Sequence, residues 1–81
     1  MDLRDTFATN LRRIRAAKGL SQDELAYEAK VSRSYLSQLE KGVFYASLNI
    51  IGRLADALEI DGYELLRPPP KRGEQAKRPG R

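Results

Sequence analysis

Cysteine and histidine are both absent from the 81 residues, and each absence removes a class of chemistry. Without cysteine there are no disulfides and no thiolate metal sites. Without histidine the usual general base and the commonest metal ligand are gone. No apolar run approaches the roughly 20 residues needed to span a bilayer. The opening Met-Asp-Leu-Arg has no apolar signal core, so the expectation is a cytoplasmic protein. A chain this short is one domain at most, and must use its apolar residues efficiently or dimerise. Hydrophobic residues make up 41% and charged residues 32%, the balance of a soluble, helical domain. The expectation is a metal-free, cofactor-free domain that is not an enzyme. Tyr27, Tyr35 and several serines are present, but no His, Cys or clustered carboxylates would activate them.

A net charge is also missing from most of the chain. Residues 1–70 carry ten Lys/Arg and ten Asp/Glu, so the formal +4 comes from residues 71–81, where five basic groups face Glu74 alone. Within the neutral part, residues 1–45 hold eight basic and six acidic groups and residues 46–70 hold two and four. A basic front half and an acidic back half would let one side face a polyanion, although imbalances this small are also ordinary solvated surface.

Pro68, Pro69 and Pro70 punctuate the chain. Three consecutive residues without amide donors stop any helix, and KRGEQAKRPGR beyond them has one apolar residue, Ala76, too little to offset its own ordering entropy. The expected organisation is a folded domain over 1–67 and a proline-led, basic, disordered tail over 68–81.

Residues 1–67 read as five short helices. Leu3, Phe7, Leu11, Ile14 and Lys18 recur at helical spacing over roughly 3–18, and Gly19 stops that helix. Ser21 and Glu24 form a capping box that opens a second helix burying Leu25, Ala26 and Ala29. Ser32 caps a third, about 32–41, with Leu36 and Leu39 inward and Gly42 just past its end. Ser47 caps a fourth with Leu48, Ile51, Leu54, Ala55 and Leu58 as its apolar stripe. Asp61 and Glu64 suggest another capping box and a short fifth helix ending near Leu66. No stretch alternates long enough for a strand. The fold class is all-α.

The second and third helices are joined by only about Lys30 to Ser32. So tight a link sets them at a steep angle, as in a helix-turn-helix. With Leu36 and Leu39 inward, Arg33, Ser34, Tyr35, Ser37 and Gln38 point outward. Arg suits guanine, Gln suits adenine, Ser suits several groups, and Tyr can pack on a thymine methyl.

The stretches LRRIRAAKGLSQDELA, VSRSYLSQLEKG, ASLNIIGRLADALEI and DGYELL, within residues 11–66, resemble the Cro/phage-repressor type of helix-turn-helix, also called the xenobiotic-response-element family. Restriction–modification controller proteins are similar single-domain members. The resemblance implies a compact five-helix, lambda-repressor-like DNA-binding domain that regulates transcription by binding double-stranded DNA, at the nucleoid when bound. It implies a homodimer on an inverted-repeat operator, with the recognition helix of each copy in the major groove. Gln22 matches a position that clamps a phosphate. Ser32 matches the recognition-helix cap, which often also touches phosphate. Arg33, Ser34, Tyr35, Ser37 and Gln38 match positions that read bases or adjacent backbone. Arg15 and Glu40 match a structural ion pair between the first and third helices. By resemblance to controller proteins, Ile60, Tyr63 and Leu66 are candidates for the dimer interface, with core closure as the other reading of them.

Three positions depart from the family pattern. Lys30 stands where Gly is usual, and must adopt a left-handed backbone at a cost of about 1 kcal/mol or avoid it by another turn geometry. Val43-Phe44-Tyr45 replaces a basic or polar loop, so either Phe44 folds back into the core or the loop meets a partner surface. Ala46 replaces a frequent proline. The apolar loop supports the competing reading, an antitoxin or anti-activator that acts mainly by binding a protein partner at Val43, Phe44 and Tyr45.

If the basic tail adds phosphate attraction, deleting residues 71–81 should weaken binding to all DNA sequences alike and flatten the salt dependence. Affinity measured across a salt series checks this, and unchanged affinity at low salt would end the idea.

Overall fold

Short polar side chains mark where each helix begins. In the computed structural model, which describes residues 2–69, α1 spans Leu3–Ala17, α2 Gln22–Ala29, α3 Arg33–Glu40 and α4 Leu48–Leu58, followed by a 3-10 turn at Gly62–Leu65. Asp2 accepts from the Arg4 amide at 2.9 Å, Ser21 from Glu24 at 3.0 Å, Ser32 from Tyr35 at 3.0 Å and Ser47 from Ile50 at 3.1 Å. Each satisfies an amide that the helix itself cannot pair. The Ser21 amide donates in return to Glu24 Oε1 at 2.8 Å, closing the capping box.

The four helices also end alike. Gly19, Lys30, Gly42 and Glu59 have φ of 74°, 62°, 76° and 60°. The next residues, Leu20, Val31, Val43 and Ile60, send their amides back five positions at 3.0–3.2 Å. A left-handed residue reverses the chain and delivers an apolar residue behind it. Leu20, Val31 and Ile60 pack against the core in this way. Of the two turn geometries open to Lys30, the strained left-handed one is adopted, and Glu59 adopts it as well.

The core takes leucines from every element: Leu11, Leu25, Leu36, Leu39, Leu54 and Leu58, with Leu65 from the turn, are fully buried. Small Ala26 and Ala29 are buried where α2 packs on its neighbours. Asn10 is buried too. Its Nδ2 donates to the carbonyls of Leu65 at 3.0 Å and Arg67 at 2.7 Å, tying the C-terminal turn to α1, while its Oδ1 accepts from Arg13 at 3.0 Å. A buried amide so fully partnered costs little.

The regular elements among the described residues are all helical, with no strand, but the fifth helix is a correction. Gly62–Leu65 is one 3-10 turn, and Asp61 makes no side-chain capping bond. The Arg67 amide still reaches the Tyr63 carbonyl at 3.0 Å, but Pro68 has no amide to extend the series and disfavours helix at Arg67. The first helix ends at Ala17 and Lys18 caps it. In the fourth, Leu54, Ala55 and Leu58 are buried and Ile51 is partly so, but Leu48 is 83% exposed. Leu48 is the first helical residue, directly after its cap, and stands at the rim of the core. The expected tail lies, from Pro70 onward, outside the described residues.

Relieving the left-handed strain by Lys30→Gly should raise stability by up to about 1 kcal/mol. Gly42→Ala should lower it, because φ is +76° there and an added Cβ would sit 3.2 Å from Asp5 Oδ1. Denaturant melts of the two variants measure both signs.

Candidate nucleic-acid interface

Two leucines orient α3. Leu36 and Leu39 are fully buried, which turns the opposite side of the helix to solvent. Ser32, Arg33 and Ser34 are exposed, and Tyr35, Ser37 and Gln38 are half-buried. Arg33, Ser34, Ser37 and Gln38 together line an open depression of about 290 Å³. Five donors on Arg33, two on Gln38 and the serine hydroxyls converge there.

Glu40 closes the helix from the inner side. It is 3% exposed, and a buried carboxylate needs donors. Arg15 supplies two: Nε to Oε2 at 2.6 Å and Nη2 to Oε1 at 3.0 Å. The pair is bidentate, the stronger geometry. Hydrogen bonding to Glu40 also raises the Arg15 pKa above its ordinary value, opposed by desolvation, so the guanidinium stays charged. A further Arg15 nitrogen donates to the Leu20 carbonyl at 2.9 Å, and Arg12 donates to the backbone carbonyl of Glu40.

Gln22 also points at this carboxylate, its Nε2 donating to Glu40 Oε1 at 2.9 Å. That bond uses one amide hydrogen and leaves the other, with the side-chain carbonyl, for a further partner. Arg33 leans the other way: its Nε lies 3.5 Å from Asp23 Oδ1 on α2, both side chains mostly exposed. An exposed pair of this kind is weak and leaves the guanidinium free to exchange partners.

The Val43-Phe44-Tyr45 loop is exposed, and Phe44 does not fold into the core. It stacks on Tyr35 instead, ring centroids 6.0 Å apart and planes 27° from parallel. Tyr45 lies under Arg4, whose guanidinium is 4.6 Å from the ring centroid. Leu3, Phe44, Tyr45, Leu48 and Leu66 border an apolar groove of about 200 Å³ floored by Phe7. Of the candidate dimer residues, Tyr63 is 62% exposed, while Ile60 and Leu66 pack partly against the core.

Several of these features lay outside the sequence reading: the Asp23–Arg33 contact, the Gln22 bond to Glu40, the Arg12 bond, the Phe44–Tyr35 stack and the groove. The one signal in reach was Arg12, three residues before Arg15 and therefore on a neighbouring part of the same helix face. No helix among the described residues is long and apolar enough to cross a membrane.

The helix-turn-helix family model matches residues 11–65 of the chain. Over 71 residues the chain is 41% identical to a hypothetical transcription factor of Neisseria meningitidis serogroup B, covering 88% of this chain and 67% of that protein. It is 35% identical over 66 residues to the control protein C.BamHI of Bacillus amyloliquefaciens, covering 80% and 82%. The crystal structure of the restriction–modification controller protein C.AhdI from Aeromonas hydrophila superposes with a TM-score of 0.75 at 44% identity, covering 76% of this chain and 94% of that one.

Breaking the buried pair on one side, by Arg15→Ala, strands the Glu40 carboxylate and should cost about 3 kcal/mol. Arg15→Met combined with Glu40→Leu should recover most of that loss, since the two charges then leave together. Chemical denaturation of the single and double variants decides it.

Proposed function

This chain belongs to the helix-turn-helix family, whose members are DNA-binding transcription regulators and not enzymes, and from that membership we propose that it works as a homodimer on an inverted-repeat operator. One observation carries the reading of the site: α3 buries Leu36 and Leu39 completely and turns Arg33, Ser34, Ser37 and Gln38 into one open depression. On this proposal α3 of each copy lies in the major groove. Arg33 donates to a guanine edge, Gln38 pairs with adenine, and Tyr35, Ser34 and Ser37 complete the contact. Gln22, held by Glu40 with one amide hydrogen to spare, clamps a backbone phosphate, and Ser32 joins it after capping the helix. Phosphate contacts of this kind set register, while base contacts set preference.

A single α3 covers only a few base pairs. A two-fold axis joining two copies would present two such helices to half-sites about 34–36 Å apart, one turn of the duplex. Support for a second copy comes from the apolar residues left in water. Leu3, Tyr45, Leu48 and Tyr63 are all at least half exposed, and Leu66 runs along the groove that Leu3, Tyr45 and Leu48 border. A small protein rarely exposes so much apolar surface without a partner. The exposure of Val43-Phe44-Tyr45 also supports the second reading, in which that loop meets a different protein. A stable complex with such a protein, together with no preference among DNA sequences, would favour it.

Selection from a pool of randomised duplexes, read with the solution mass of the protein, tests the proposal. It should return a two-fold symmetric site and a dimer. Arg33→Ala or Gln38→Ala should then cost about 1–3 kcal/mol on that site and relax preference at particular base pairs. Equal losses on the selected site and on random DNA would count against base reading by these residues.

A further inference from the structure

The loop after α3 carries an aromatic ring where the proposed interface offers it nothing to bind. Phe44 is 44% exposed, it has no hydrogen-bonding group, and its one defined ring partner is Tyr35 on α3. The start of the loop, as far as Val43, is tied to that helix by backbone hydrogen bonds. The Lys41 amide bonds the carbonyls of Ser37 and Gln38, Gly42 bonds Leu39, and Val43 bonds Gln38, all at 3.1–3.2 Å. On its other side, the Arg4 guanidinium covers Tyr45 and is itself fixed by Asp2 at 3.0 Å. Tyr35 is pinned at its backbone, where its amide donates to Ser32 Oγ at 3.0 Å. A tyrosine has two side-chain torsions to set: Tyr35 packs partly against the core, and the stacked Phe44 ring narrows the orientations left to it.

We propose that Phe44 is a positioning residue: stacked on Tyr35, it fixes where the Tyr35 hydroxyl and ring edge stand in the major groove, and so determines base preference at one position of each half-site without touching DNA. The inference rests on the reading of α3 as the base-contacting helix. It accounts for an apolar loop at a place where a phosphate-contacting loop would be basic. The same ring borders the apolar groove, so the test must separate its effect on Tyr35 from any effect on pairing of copies.

Phe44→Leu keeps apolar bulk and removes the ring; Phe44→Trp and Phe44→Tyr keep a ring. Each is compared with wild type by selection from randomised duplexes, at protein concentrations where sedimentation finds the same mass for all. Phe44→Leu should reduce discrimination about three- to tenfold at one symmetric pair of positions, with affinity for random DNA and its salt dependence unchanged. The two aromatic replacements should restore discrimination at those positions. In a Tyr35→Ala background, Phe44→Leu should have no further effect there. Unaltered discrimination in Phe44→Leu, a uniform loss at every position, or a full effect in the Tyr35→Ala background would each overturn the proposal. A wild-type protein that selects no sequence would defeat the reading of α3 itself, and is distinguished from those results by the wild-type experiment alone.

Discussion

A carboxylate removed from water must be met by donors, and Glu40 is met by donors from two other helices. Arg15 of α1 grips both of its oxygens and Gln22 of α2 shares one of them. Arg12 adds a bond to the backbone carbonyl of the same residue. One side chain at the end of α3 therefore locks three helices into a single arrangement. The hydrophobic contacts of Leu36 and Leu39 supply attraction but little direction. The charged hydrogen bonds add orientation, because a bidentate guanidinium tolerates little rotation. On the proposed function, this network decides how α3 is offered to a duplex.

The same network links the inside of the protein to its outside. Gln22 spends one amide hydrogen on Glu40, so its remaining groups are aimed before any ligand arrives. Arg33, by contrast, is held only by an exposed contact with Asp23 and can exchange it at little cost. On the proposed function, Gln22 would be a fixed phosphate clamp beside an adaptable base-reading Arg33: rigid groups set register, and a mobile one finds its partner within it.

Much of this was legible in the chain because local chemistry decides it. Asp2 aside, the helix starts follow from serines that each sit three residues before the amide they accept, and the inward leucines from helical spacing. What was not legible depended on distances between elements. Spacing counts the apolar residues on a helix face but does not say where the core stops, so Leu48 read as buried and lies in water. The pattern Asp61 to Glu64 resembles a helix start, yet prolines three residues past Leu65 leave room for one turn only. Lys30 drew attention because it stands where the family pattern usually has Gly; Glu59 adopts the same left-handed backbone with no such signal. For the candidate site, the outward face of α3 followed from its two leucines. The Arg15–Glu40 pair followed only from family resemblance, and the Phe44–Tyr35 stack, nine residues apart across a reversal of the chain, followed from neither.

On the proposed function, α3 reads base edges from the major groove. Replacing guanines of a selected site one at a time with 7-deazaguanine removes a major-groove acceptor and leaves the minor groove intact. Affinity should fall at one guanine in each half-site, and that fall should vanish in Arg33→Ala. Full affinity at every replaced guanine, together with loss of binding when inosine removes the minor-groove amino group, would contradict the account.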